Sequence, residues 1–395
     1  MKRYRGNRYR KRNKVLLTVL SLFLILSLSA CVFIVTENYV VFTSTGIEIR
    51  LPFLRREEGP DVDDGPPLQI EELPQKPAED QPQPPPEETP EQPPDEPEDT
   101  APETLWAVAV DAARLTDEVY LDGILALADT TGVNAVMVDL KNQDGTLNYV
   151  SAASAAVAAN ASAGAGDIAP GIKRLREGGV YVIGRVYCMR DNTVSRQVRS
   201  TAIKTASGAT WLDWEYGGWL SPYEESARAY LTEIVRECAA LGVSEIALDD
   251  FCFPYRGKFS VISYPDGAAP KADVLTALLE ELAAACAQTE TKLSLIPVRE
   301  SVETGAAPEQ GQELAGFVPY VSRVYFALTE SEAASAAPAL IERVAALAPD
   351  KTAFAVPMIE AATNNKAAID ALLQRQSTSF VLRNAAGIYS PEDFN

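Results

Sequence analysis

The sequence predicts an α/β fold, a (β/α)8 barrel, preceded by a single N-terminal transmembrane helix and a disordered Pro/Glu-rich linker. Three observations carry this prediction. The 395 residues fall into segments of opposite charge, +9 over residues 1–56 and −16 over 57–104, inside a net charge of −20. One uncharged apolar run follows the basic head. From Leu105 onward, eight short β-rich runs alternate with Ala/Leu/Glu-rich amphipathic stretches, the pattern of a closed parallel barrel. A doubly wound sheet is the alternative arrangement of the same alternation.

Residues 1–14 hold eight Lys/Arg and no acid, and Val15 to Val35 hold no charge. Twenty-one residues at a rise of about 1.5 Å give a helix of roughly 30 Å, the thickness of a bilayer core. The charge asymmetry places the head in the cytoplasm and everything after Thr36 outside, a signal-anchor at the cell membrane. Leu28-Ser29-Ala30-Cys31 offers the other reading, a lipoprotein cleavage box with lipid on Cys31. Residues 36–54 read as a juxtamembrane hairpin turning at Ser44-Thr45-Gly46. Residues 55–104 contain 14 of the 27 prolines together with 17 acids. Such a segment buries no core and reads as an extended spacer, at about 3.1 Å per residue a reach of up to about 150 Å.

Residues 105–395 form the barrel domain. The strand candidates are 105–110, 134–139, 180–187, 245–250, 292–297, 321–326, 352–356 and 379–382. Helical periodicity is clearest at 120–131, 222–241, 271–288, 332–347 and 366–375. Two stretches exceed a minimal barrel, 151–166 and the long loop 191–221 after the third strand.

The chain has no histidine. That excludes Ser-His-Asp and Cys-His triads, His-ligated zinc and HExxH chemistry, and leaves acid–base work to carboxylates, Lys, Tyr or Cys. Barrel chemistry sits where the strands end. There the sequence places Asp139 and Lys141, Arg185 and Asp191, Asp249 and Asp250, Arg299 and Glu300, Thr329 and Glu330, and Glu360. Adjacent strand residues point to opposite faces, so one of Asp249 and Asp250 should face the mouth and the other its surroundings. A carboxylate there needs a cation, and Lys141 and Arg185 are the expected partners. The loop Trp211 to Tyr223 packs five large aromatics beside Asp213 and Glu215. Flat rings next to carboxylates suit sugars; a small core for the loop itself is the competing explanation.

These motifs resemble a bacterial family of glycoside hydrolase domains, long catalogued as a domain of unknown function and related to the α-amylase and α-galactosidase type of barrel. The resemblance spans Leu105 to Thr329. It rests on Asn134-Ala135-Val136-Met137-Val138-Asp139-Leu140-Lys141 with Gly145 and Tyr149, Gly184-Arg185-Val186 with Asp191, and Ala202-Ile203-Lys204 before Gly208. It continues in Trp219-Leu220-Ser221-Pro222-Tyr223 and in Leu241 to Asp249 with Phe253-Pro254. The resemblance implies an eightfold barrel, a polysaccharide substrate and a strand-four carboxylate at Asp249. Three departures stand out. Asp250 and Cys252 replace the family's Tyr and Arg, no Asp occurs in Leu293 to Val298, and Ser221 replaces the Asp of the aromatic loop motif.

The functional expectation is a tethered glycosidase acting on a cell-envelope or extracellular polysaccharide or oligosaccharide, with Asp249 as nucleophile or base and Glu300 as acid. Asp139, Lys141, Arg185, Asp191, Trp211, Asp213, Trp219, Tyr223 and Asp250 would position the sugar or tune the acids. No cofactor or metal is required, no nucleic acid is expected, and the protein should be monomeric. The alternative is a catalytically degenerate barrel that binds wall polysaccharide or a protein partner, in keeping with the missing acids. A Mg²⁺- or Ca²⁺-dependent hydrolase using Asp139, Asp249 and Asp250 is a third class. Cys188 and Cys252 follow neighbouring strands, where a disulfide is conceivable.

Overall fold

The computed structural model describes residues 40–43, 46–49, 101–361, 365–374, 378–384 and 387–394. The chain divides into two compact units, residues 1–90 and 91–395. In the first, two short strands, Val40–Thr43 and Gly46–Ile49, pair antiparallel with Val40 opposite Ile49. The expected head at 1–14, the apolar run at 15–35 and most of the spacer at 55–104 lie outside the described residues. Among the described residues, no helix is long and apolar enough to cross a membrane.

The second unit is a closed parallel barrel of eight strands. They are β1 (Trp106–Val110), β2 (Ala135–Lys141), β3 (Tyr181–Tyr187), β4 (Glu245–Asp249), β5 (Lys292–Ile296), β6 (Val324–Leu328), β7 (Ala355–Ala361) and β8 (Phe380–Asn384). Each strand pairs with its sequence neighbours, and β8 pairs with β1 to close the ring. The β5–β6 seam is the shortest, with Val324 opposite Leu295 as its one registered strand pair.

All eight expected strands are present, with two displaced. β6 begins at Val324 rather than 321, because the Arg323 amide is taken by the Ser294 hydroxyl (3.0 Å) instead of a β5 carbonyl, which interrupts the ladder. β7 begins at Ala355 and runs through Pro357, where the sequence signal stops. Its pairing with β8 starts only at Met358, so the missing amide hydrogen of Pro357 costs no ladder bond on that side.

The outer layer includes α1 (Glu118–Thr130), α2 (Ala169–Glu177), α3 (Asn192–Gln197), α4 (Glu225–Ala240), α5 (Lys271–Cys286), α6 (Arg299–Thr304), α7 (Glu330–Ser335), α8 (Ala337–Ala345) and α9 (Asn365–Leu373). Asp117 starts α1 by accepting bonds from the amides of Val119 and Tyr120. In α4, Tyr230, Leu231, Ile234, Val235 and Cys238 are buried, the helical stripe that seats it on the strands.

Alternation along the strands fills the lumen. Ala107, Ala135, Met137, Tyr181, Ile183, Ala247, Ile296, Tyr325, Val356 and Val381 form a separate buried cluster inside the ring. At its base, Glu245 is fully buried. It accepts bonds from Tyr181 Oη (3.0 Å) and Tyr325 Oη (2.6 Å) and pairs with Arg323. Arg323 also donates to the carbonyl of Pro102 at 3.0 Å, and Ala101 packs on the lumen cluster, so the chain enters the barrel at its base. Cys188, Cys238, Cys252 and Cys286 are buried free thiols, so no Cys188–Cys252 disulfide forms.

Candidate active site

Two residues above the lumen core, the same strand faces carry polar groups. On β4, Glu245, Ala247 and Asp249 share one face, which puts one acid at the base and one at the mouth. On β3, Arg185 and Tyr187 follow Ile183 to the same end. Arg185 donates to Asp249 Oδ2 from Nε (2.9 Å) and Nη2 (2.5 Å). Its Nη1 lies 3.7 Å from Asp139 Oδ1, and its guanidinium stacks 4.5 Å from the centre of the Tyr187 ring. Burial disfavours the Arg185 charge, but Asp249 beside it outweighs that cost and holds the guanidinium protonated.

Asp250 departs from strand geometry. Its φ of 45° is left-handed, a conformation uncommon outside glycine but tolerated by Asp. The turn cancels the alternation of faces, so both Asp249 and Asp250 line the same cavity, where the sequence led to the expectation of only one. The Asp250 amide donates to Asp249 Oδ1 at 2.7 Å. Its carboxyl accepts from Gln143 Nε2 (3.1 Å) and Tyr255 Oη (3.0 Å). Burial, together with the neighbouring Asp249 charge, pushes the Asp250 carboxyl up to about 6, against the smaller pull of those two bonds. Two consecutive carboxyls thus sit in opposite electrostatic settings.

The cavity measures about 520 Å³, and Glu300 and Arg299, from the first turn of α6, line it together with Asp249 and Asp250. A second cavity of about 970 Å³ shares Arg185, Tyr187, Arg299, Ala327 and Met358 with it and continues past Glu330, Glu360 and Arg383. The two form adjoining parts of one mouth. Gln312, fully buried, ties together the two segments that bring Asp250 and Glu300 to the first cavity. It accepts from Val298 N (3.0 Å) and Ser301 Oγ (2.8 Å), on either side of Glu300, and donates to the Phe251 carbonyl (3.0 Å), next to Asp250.

Of the residues expected from the sequence, Asp249, Asp250, Arg185 and Glu300 are brought together. Asp139 stands behind them, held by Arg383 Nη2 at 2.7 Å and facing Arg185. Lys141 and Asp191 do not reach the mouth. A register shift after Asp139 turns Lys141 into the wall, where it pairs with Asp191 at 2.9 Å, both side chains fully buried. Asp191 also caps α3 through Val194 N (2.7 Å). Gly145, at φ 90°, packs against the Asp191 carboxyl where a Cβ would collide. Lys141 therefore answers Asp191 and leaves Arg185 as the partner of Asp249.

The aromatic loop also corrects the expectation. Trp211 and Trp219 are 2% and 0% exposed and Asp213 is 4% exposed, so none offers a face to a sugar. Trp219 Nε1 donates to Asp213 Oδ2 (3.1 Å) and Trp211 Nε1 to the Lys258 carbonyl (3.1 Å). Tyr223 packs on Phe253 and Tyr264 at 5.2 and 5.3 Å. These rings are the loop's own core. Burial works against the Asp213 charge, but bonds from Trp219, Gly217 and Glu215 and the charge of Arg190 hold its carboxyl below the usual range.

Sequence reasoning missed Gln143, Tyr187, Tyr255, Gln312, Met358 and Arg383. Tyr187 and Arg383 were readable, since each shares a strand face with a lumen residue, Ile183 and Val381. Nothing local to Gln143, Tyr255 or Gln312 marks them. Among the described residues, no group of three or more Cys, Asp or Glu side chains is arranged to hold a metal ion, so the metal-dependent reading gains no support.

A parallel barrel with an acid-lined mouth at the strand C-termini belongs to the architecture that carries many glycosidases. The chain itself belongs to the family described as "Putative glycosyl hydrolase domain", whose profile matches residues 107–324. No curated protein sequence matches it. Among solved structures, a hypothetical protein from Ruminiclostridium thermocellum is similar at 25% identity, over 47% of this chain and 96% of that one, with a TM-score of 0.43. Aspergillus fumigatus Ega3, in complex with galactosamine, is 11% identical over 74% of this chain and 93% of its own, TM-score 0.41. The glycoside hydrolase domain of PelA from Pseudomonas aeruginosa is 12% identical over 72% and 96%, TM-score 0.43.

Proposed function

We propose that the barrel hydrolyses glycosidic bonds in a cell-envelope or extracellular polysaccharide, with Asp249 as the nucleophile or base and Asp250 as the proton donor. The observation that carries this is the placement of two carboxyls in one cavity, one neutralised by Arg185 and one raised to about 6. Glycoside cleavage needs that division of labour and needs no histidine or metal. As the glycosidic C–O bond breaks, Asp250 gives its proton to the departing sugar oxygen, while Asp249 either bonds to the anomeric carbon, to be displaced later by water, or takes the proton of a water that attacks that carbon directly. Arg185 holds the Asp249 carboxylate from two nitrogens, and Tyr255 and Gln143 fix the orientation of Asp250. Glu300, the acid expected from the sequence, lines the same cavity from α6.

Tethering through residues 15–35, or through lipid on Cys31, completes the proposal. Chain entry at the barrel base, the end opposite the strand-end mouth, supports it. The test is turnover of activated aryl glycosides and of envelope and α-glucan polysaccharides by the wild type, Asp249→Asn, Asp250→Asn and Glu300→Gln. Loss of turnover in the first two variants is the expected result. Equal turnover by wild type and Asp249→Asn overturns the assignment. Loss in Glu300→Gln with Asp250→Asn active moves the donor role to Glu300.

A further inference from the structure

We infer that Trp214 and Tyr216 form a stacking subsite for a polysaccharide strand outside the cavity. This rests on the glycan-directed reading of the mouth but not on hydrolysis. The two rings are 73% and 75% exposed, while Trp211 and Trp219 of the same loop are buried. The loop's own core therefore makes no use of them. Large aromatics left in water forgo about 1.5 to 3 kcal/mol each of burial, which a ligand can recover.

The segment that presents them is rigidly built. Asp213 Oδ1 accepts from the amides of Glu215 (2.9 Å) and Gly217 (2.8 Å). Its Oδ2 accepts from Trp219 Nε1 (3.1 Å), Arg190 Nε (3.1 Å) and Arg256 Nε (3.2 Å). Glu215, between the two rings, is held by Arg256 Nη1 (2.6 Å) and Arg190 Nη2 (2.9 Å). Tyr216 is kept at a left-handed φ of 59°, its carbonyl accepting from Arg196 Nη2 at 2.8 Å. Holding a bulky residue there costs free energy that the surrounding bonds must offset.

A relay of contacts leads from Glu215, between the two rings in sequence, to the cavity wall. Arg256 follows Tyr255, whose ring packs edge-on against Trp219 at 5.4 Å and whose hydroxyl bonds Asp250 inside the cavity. One arginine side chain and one peptide unit thus join Glu215 to the cavity wall. The chemistry around the rings fits a sugar chain: two aromatic faces for C–H stacking, with Glu215 and Arg196 beside them for hydroxyls. The loop follows β3 and Tyr255 follows β4, so both belong to the strand-end face that opens the mouth.

The test uses the full chain in detergent, in an Asp249→Asn background so that turnover does not remove the ligand. Native gels containing hydroxyethyl cellulose, soluble starch, laminarin or glycol chitosan, and co-sedimentation with purified peptidoglycan sacculi, measure polymer binding. At least one polymer should retard the protein, and Trp214→Ala with Tyr216→Ala should weaken that binding by about tenfold or more. Acrylamide quenching of tryptophan fluorescence should fall on adding the same polymer, and Trp214→Phe should abolish the change. Unaltered binding by the double variant overturns the subsite, as does the absence of binding to every polymer. Binding lost in the double variant without any turnover by the wild type supports the subsite and sinks the hydrolase reading instead.

Discussion

Replacing Asp250 by asparagine removes a carboxyl that burial and the adjacent Asp249 charge hold protonated up to about pH 6. In the unfolded chain the same group titrates near 3.9. Between these values the folded state binds more protons than the unfolded one, so stability falls as pH rises through the window and levels off above it. Two pKa units correspond to about 3 kcal/mol. Asparagine keeps the shape, takes Gln143 on its oxygen and offers its amide to the Tyr255 hydroxyl, as a protonated Asp250 would. Wild type and Asp250→Asn should therefore be nearly equal in stability at pH 4, and the variant should exceed wild type by about 2 to 3 kcal/mol at pH 7.5. Urea unfolding of both proteins at half-unit pH steps measures this, and the difference cancels every group the two share. The same titration should appear in catalysis as an alkaline loss of kcat/KM with an apparent pKa near 6, absent from the residual activity of Asp250→Asn. A stability difference that is flat from pH 4 to 7.5 would falsify the raised carboxyl, and the donor role with it.

Other expectations follow from individual contacts. Lys141→Met strands the buried Asp191 charge and should cost about 3 to 5 kcal/mol in urea unfolding, whereas loss of an exposed pair such as Lys173–Glu177 should cost under about 1 kcal/mol. Gln312→Leu leaves the Val298 amide and Phe251 carbonyl unpaired and should cost about 2 to 3 kcal/mol, with kcat reduced more than KM if it positions the Asp250 and Glu300 walls. Cys188, Cys238, Cys252 and Cys286 should resist a thiol reagent in the native protein and all react after unfolding; a missing thiol in non-reducing denaturant would indicate a disulfide. Deleting residues 1–35 should release the protein from the membrane fraction, and palmitate incorporation that depends on Cys31 would favour the lipoprotein route over the signal-anchor.

Much of the barrel was legible because it rests on local patterns. Period-two runs and helical stripes need no knowledge of the rest of the chain, and their alternation leaves few ways to bury both strand faces. The extended end of β7 shows where this fails: proline ends a strand by local rules, but the neighbouring register decides whether its amide was needed. The site divides the same way. Asp249 and Arg185 stand at strand ends on readable faces, and their pairing was expected. Only one of Asp249 and Asp250 was expected at the mouth, yet both line it, because a single left-handed residue cancels alternation and no composition reveals φ.

The sequence by itself determined the segmentation of charge, the eightfold alternation and, through the absence of histidine, the exclusion of imidazole chemistry. Those properties are additive along the chain or repeat with a fixed period. Only the tertiary structure decided which polar residues meet. Lys141 and Arg185 look alike as strand-end cations, yet a register shift commits one to Asp191 inside the wall and leaves the other beside Asp249. Trp211 and Trp214 look alike as loop aromatics, yet one is core and the other faces water. Burial and pairing depend on what distant segments place alongside a residue, and that information is not local to it.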